Sequence, residues 1–230
     1  MIKKLSIVPV AVALLLSLSH VCSAQDWPNL HRYRKADSTL GPPPAGTKRV
    51  VFMGNSITDH WDNLDPGFFN DNPYIDRGIS GQTTPQMLIR FRQDVIDLNP
   101  SVVVILAGTN DIAGNTGSST LGMIENNLMS MCQLARANNI RVVLCALLPA
   151  YRYPWSPKVH PAKKIVKLNK WIQQYAHKNG YVFCNYYPPL VNQRGGMKSN
   201  FSKDGVHPNK AGYNIMEPMV VRAIHKALNK

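Results

Sequence analysis

The sequence predicts an α/β domain: a five-stranded parallel sheet sandwiched between two layers of helices. Two observations carry this. Short apolar runs of strand length alternate with longer segments whose apolar residues recur every three or four positions. One run, Val102-Val103-Val104-Ile105-Leu106, is apolar on both faces, as a strand covered from both sides must be. Such sheets join their strands by right-handed crossovers and hold their chemistry outside the strands' carboxyl ends.

The elements follow in order. Residues 25–46 are polar, include Pro42-Pro43-Pro44 and have no clean period, so they read as a lead-in that packs over the surface or stays mobile. Residues 49–53 are a buried strand, and 74–79 a weaker one. Thr84-Pro85 reads as an N-cap followed by proline at the first helical position. Leu88, Phe91, Val95 and Leu98 then keep helical spacing up to Pro100. The strand 102–106 follows, then a helical stripe of Leu121, Ile124, Leu128, Met131 and Leu134. A fourth strand covers 141–146, and Ile165, Leu168, Ile172 and Tyr175 mark a helix stopped near Gly180. The fifth strand is 181–184, and Ala211, Ile215, Met219, Ala223 and Ala227 mark a C-terminal helix.

Ahead of this domain, Lys3 and Lys4 precede an apolar stretch too short to span a bilayer, and small residues reach Ala24. Residues 1–24 therefore read as a cleavable signal peptide and the protein as secreted or periplasmic. Cys22 invites a lipoprotein reading, but Val21 stands before it where a small residue is wanted. Cleavage would leave 206 of the 230 residues, enough for one domain with a sizeable core. No later apolar run is long enough for stable membrane insertion. Without Lys3 and Lys4 the chain keeps 24 basic against 13 acidic residues, a formal charge of +11. The lysines are scattered, which reads as a solvated surface; no basic helix or zinc spacing points to nucleic acid. Cys132, Cys145 and Cys184 each lie in an apolar periodic segment and read as buried free thiols.

Four polar clusters fall just after strands or at the last helix: Gly54-Asn55-Ser56-Ile57-Thr58-Asp59, Ser80-Gly81-Gln82-Thr83, Gly108-Thr109-Asn110-Asp111 and Asp204-Gly205-Val206-His207. Acyl transfer needs a nucleophile, a base to take its proton, an orienting acid and preset oxyanion donors. Ser56, His207 and Asp204 supply the first three; the N–H groups of Ser56 and Gly81 and the side-chain amide of Asn110 supply the last. Each residue alone has a plainer reading: Ser56 and Asn110 as caps, Asp204-Gly205 as a turn, Gly81 as a loop glycine, His207 as a surface histidine. Their joint placement at strand ends favours the catalytic reading. His60 is a rival base, but it projects from the same short segment as Ser56, and Asp59 beside it points elsewhere. His31, His160, His177 and His225 have no local acid placed to orient them. Asp111 reads as holding its turn.

These clusters resemble the motif blocks of SGNH-type (GDSL-type) serine hydrolases. The first block matches Gly54 to Thr58, with Asn55 where Asp is common; the second matches Arg77 to Thr84; the third Gly108 to Asp111; the fifth Asp204 to Asn209. The likeness covers most of 47–230, with 25–46 as lead-in. It implies a flavodoxin-like sheet of strand order 2-1-3-4-5 and ester hydrolysis without metal or other cofactor. It also implies nucleophile Ser56, base His207, acid Asp204 and oxyanion donors Ser56, Gly81 and Asn110. No G-x-S-x-G elbow occurs.

The loop after the fourth strand carries Tyr151, Arg152, Tyr153 and Trp155, which should overhang the site. Tyr151 and Trp155 suit stacking on sugar rings, and Arg152 suits a carboxylate or phosphate; the plainer reading is that the aromatics pack the loop down. No long apolar lid is evident. The expectation is an exported acetylesterase acting on small-molecule or polysaccharide O-acetyl esters. A short-chain lipid or lysophospholipid acylhydrolase and a glycan-binding module without turnover are the alternatives.

Overall fold

The computed structural model describes residues 26–230. The expected leader and Cys22 lie outside them. Five strands form one parallel sheet: β1 Val50–Gly54, β2 Tyr74–Gly78, β3 Val102–Leu106, β4 Arg141–Cys145 and β5 Val182–Cys184. Their order is β2-β1-β3-β4-β5, as the resemblance implied. Pairing is in step along the strands, with Gly54 opposite both Gly78 and Leu106. The carboxyl ends of β1, β2 and β3 therefore finish level, and the loops leaving them start side by side.

Alternation along each strand sends side chains to two cores. Val51, Met53, Val103, Ile105, Val142 and Leu144 pack beneath helices α4 (Thr84–Asp94), α6 (Leu121–Ala137) and α7 (Ala162–Asn179). Val50, Phe52, Val102, Val104, Val143 and Cys145 pack on the other face beneath α2 (Ser56–Leu64), α3 (Pro66–Asn70) and α9 (Lys210–Leu228). Cys132, Cys145 and Cys184 are free and buried. Gly180 closes α7 in the left-handed conformation, φ 74°.

The structure departs from the sequence expectations at several points. The lead-in contains a helix, α1 (Arg34–Leu40), with no buried residue of its own. It is tied down by Arg77 Nε donating to Asp37 Oδ1 at 2.9 Å and by the Tyr33 hydroxyl donating to the Gly78 carbonyl. Polar anchoring leaves no apolar period to detect. The cap of α4 is Thr83, one residue earlier than expected: Thr83 and Gln86 form a capping box. Thr84 is unavailable because its N–H and hydroxyl both donate to Asp111, at 3.0 and 2.5 Å. On α9 the buried face runs through Tyr213, Met216, Val220 and Ile224 and includes Ala223 and Ala227 of the expected stripe; Ile215 and Met219 sit at its margin, and Ala211 is exposed. The short helices α5 (Thr109–Ala113) and α8 (Tyr187–Leu190) are too brief for periodicity to reveal.

Candidate active site

Ser56 is the first residue of α2, immediately past the tip of β1. Asn55 caps the helix, its Oδ1 accepting from the Ile57 N–H at 3.2 Å. The turn needs a close approach of backbone at Gly78, where a Cβ would lie 2.1 Å from the Asp59 nitrogen. That contact presses the start of α2 against the end of β2. From the other side of the helix, the Tyr213 hydroxyl donates to the Ile57 carbonyl at 2.7 Å. The serine is therefore held by two elements besides its own strand.

His207 arrives from the loop before α9. Its Nε2 lies 2.9 Å from Ser56 Oγ, and its Nδ1 lies 2.6 Å from Asp204 Oδ2. The other oxygen, Asp204 Oδ1, accepts from the N–H groups of Val206 and His207 at 2.9 and 2.8 Å and from the Ser202 hydroxyl at 3.1 Å. Burial pushes the Asp204 carboxyl up, but the His207 ring and these backbone donors outweigh it and hold the carboxyl down at about 2. Asp204 is thus an anion at neutral pH, shaped by one tight turn to face the imidazole.

Gly81 sits at φ 81°, a left-handed turn that glycine adopts freely. Asn110, buried in α5, donates through Nδ2 to the Gln82 carbonyl at 2.9 Å, which leaves its second amide hydrogen uncommitted there. Ser56, Gly81, Asn110 and His207 line one cavity of about 320 Å³, together with His60, Ser80, Asn115 and Trp155. The next residue, Asp111, turns away from this cavity to Thr84, and burial raises its carboxyl above the usual range despite those hydrogen bonds.

Of the expected rim residues, Trp155 lines the cavity, its ring centroid 5.8 Å from that of His207. Tyr151 and Arg152 are absent from the lining; Tyr151 instead carries the Arg194 guanidinium 4.5 Å above its ring. His60 also lines the cavity, 5.3 Å from the His207 ring between centroids, while Asp59 is bonded to Ser80. The expectation that His31 lacks a local acid is corrected: its Nδ1 lies 2.7 Å from Asp26 Oδ2.

Some supporting residues were not anticipated. Asn115 bonds the Gly81 carbonyl at 3.1 Å and accepts from the Trp155 indole at 3.0 Å, linking two walls of the cavity. Ser202 steadies Asp204 from two residues upstream, a spacing at which a serine could have been noticed. Arg90 is fully buried behind the site; it donates to the Gly54 carbonyl at 3.0 Å, to Gln82 Oε1 at 2.6 Å and to Asp94 Oδ2 at 2.8 Å. Among the described residues no group of three or more His, Cys, Asp or Glu is placed to hold a metal ion.

The model of the GDSL-like lipase/acylhydrolase family matches residues 52–215, a stretch that runs from β1 into α9. The chain belongs to the GDSL-like lipase/acylhydrolase family. It is an esterase-type hydrolase on the same grounds. A GDSL-like lipase from Bacteroides thetaiotaomicron is 48% identical, with a TM-score of 0.85 over 87% of this chain and 98% of that one. An acylhydrolase candidate from Bacteroides fragilis is 47% identical, with a TM-score of 0.87 over 89% of this chain and 99% of that one. An acetylxylan esterase from Geobacillus stearothermophilus shares the fold, at 19% identity and a TM-score of 0.63 over 77% of this chain and 94% of that one. An uncharacterized lipoprotein of Bacillus subtilis is 32% identical over 128 residues, 48% of this chain; the acylhydrolase thus spans about half, 53%, of that curated relative.

Proposed function

We propose that this acylhydrolase removes short acyl groups, acetyl above all, from carbohydrate esters, with Ser56 as nucleophile. The observation that carries the reading is the unbroken chain Ser56 Oγ–His207 Nε2–Nδ1–Asp204, at 2.9 and 2.6 Å. His207 takes the serine proton as Oγ attacks the ester carbonyl. The Ser56 and Gly81 N–H groups and the free amide hydrogen of Asn110 receive the oxyanion. His207 then protonates the departing alcohol, and water activated by the same imidazole frees the acid.

The choice of acyl group rests on the cavity wall. A long chain would gain about 0.8 kcal/mol for each methylene buried against apolar surface. The cavity residues are serines, a glycine, asparagines, histidines and one tryptophan, with no aliphatic side chain among them. A long chain therefore finds no aliphatic wall in this cavity. Rates on 4-nitrophenyl C2, C8 and C16 esters should fall in that order, and Ser56→Ala should remove turnover on all three. A maximum at C16 would replace this reading with lipid hydrolysis. Unchanged turnover in Ser56→Ala would end it.

The same reading takes residues 1–24 as an export signal, so that the mature protein starts at Gln25. A lipid anchor on Cys22 is the competing outcome, favoured by the Bacillus relative's description as a lipoprotein. The mass of the mature N-terminus separates the two. Among the described residues no helix is long and apolar enough to cross a membrane.

A further inference from the structure

The catalytic cavity does not end at Trp155. A larger groove of about 730 Å³ continues from it, sharing Ser80, Gly81, Asn115 and Trp155 as a common wall. Its far wall is the lead-in: Asp26, Trp27, Asn29 and His31, all upstream of the family-matched stretch. Three glutamine amides of the domain hold this wall in place. Gln86 donates to the Trp27 carbonyl at 2.7 Å, Gln82 to Pro28 at 2.7 Å and Gln93 to Leu30 at 2.8 Å. The lead-in also closes on itself, the Leu30 N–H donating to Asp26 Oδ1 at 2.8 Å.

The groove's chemistry selects its ligand. Trp27 and Trp155, each 43% exposed, both contribute to its lining. Between them lie neutral amides and hydroxyls, Gln86, Asn115, Thr116 and Ser156 among them. The ionisable groups present, Asp26 and His31, face each other at 2.7 Å. Among the described residues no lysine or arginine lines it, so a phosphate or carboxylate has no counterion there; Ile79 and Ala113 are too little for an acyl chain. Indole rings with neutral hydrogen-bonding groups match an uncharged polyol, and the volume is within the ~300–1,000 Å³ range of small-ligand sites.

Direction follows from the reaction. The alcohol must depart beside His207 Nε2, and the Trp155 ring stands 5.8 Å from that imidazole on the shared wall. We propose that the lead-in and Trp155 form a saccharide-binding extension of the cleft that holds the alcohol side of the ester, an uncharged oligosaccharide. This rests on the esterase reading above for its direction, though not for binding itself.

The test uses Ser56→Ala protein, which separates binding from turnover, and a panel of O-acetylated neutral xylo-, manno-, gluco- and galacto-oligosaccharides. Calorimetry should detect binding of at least one, weakened about tenfold or more by adding Trp27→Ala and restored by Trp27→Phe. The indole N–H resonances of Trp27 and Trp155 should shift on titration with the bound sugar. In the active protein, Trp27→Ala should lower the ratio of kcat/KM on that sugar to kcat/KM on 4-nitrophenyl acetate by a similar factor, through KM. No binding by any panel member, unmoved indole resonances, or equal affinity after Trp27→Ala would overturn the proposal. A protein that binds the sugar yet hydrolyses no ester would instead overturn the esterase reading and leave the groove standing.

Discussion

Replacing Arg90 with methionine should cost stability and activity together. The side chain has no exposed surface, and its salt-bridge partner Asp94 is 1% exposed. Removing the guanidinium leaves that carboxylate buried without its cation and strips hydrogen bonds from the Gly54 carbonyl and Gln82. Breaking a buried pair on one side typically costs about 3–5 kcal/mol. A domain of this size loses roughly 2–4 °C of Tm per kcal/mol, so the melting point should fall by about 6–20 °C. Gly54 precedes the capped serine and Gln82 follows Gly81, so kcat should fall in the fraction that remains folded. The double variant Arg90→Met/Asp94→Leu removes the stranded charge and should recover most of the Tm without recovering all of kcat. Scanning calorimetry and 4-nitrophenyl acetate kinetics on the wild type and the two variants decide it. An Arg90→Met Tm within 2 °C of wild type would refute the reasoning, as would a double variant no more stable than the single one.

Gly78→Ala forces a Cβ to 2.1 Å from the Asp59 backbone nitrogen, where no flexible side chain can yield. It should destabilise by about 3 kcal/mol in urea melts and reduce turnover by shifting the first turn of α2. Asp204→Asn should lower kcat about 10²–10⁴-fold at neutral pH, and should also lower the Tm there, because the carboxylate's stabilising hydrogen bonds are lost with its charge. The Asp204 carboxyl titrates at about 2 when folded against 3.8 ordinarily, so its contribution is present above 3.8 and fades as pH falls toward 2. Acid unfolding curves of the wild type should therefore carry a pH-dependent loss in that window which Asp204→Asn lacks.

The central strands were legible because their residues are apolar on both faces: Val102 to Leu106 can be little else, whereas β2, with Asp76 and Arg77, gave a weaker signal. Three of the polar clusters were legible because they follow a strand directly, and the fourth because it opens the last helix; the sheet then brings Ser56, Gly81, Asn110 and His207 around one cavity. What escaped was held by polar contacts that leave no period. None of the seven residues of α1 is fully buried, Leu40 alone packing against the core, and the lead-in docks through glutamine side chains. The burial of Arg90 left no mark in the sequence, because it depends on Gln82 and Gly54 from other elements joining Asp94 of its own helix. The loop aromatics were half legible: spacing put Tyr151 and Trp155 in one segment, but which of them turns inward depends on Arg194 and Asn115, far off in sequence.

Asp204 and His207 share one turn, whereas Ser56 lies 151 residues before His207. During synthesis the serine leaves the ribosome long before the imidazole that would activate it, and four of the five strands, β2 to β5, are made in between. Ester cleavage therefore reports the last long-range closure of the chain, and under mild denaturant it should disappear before the helical signal does.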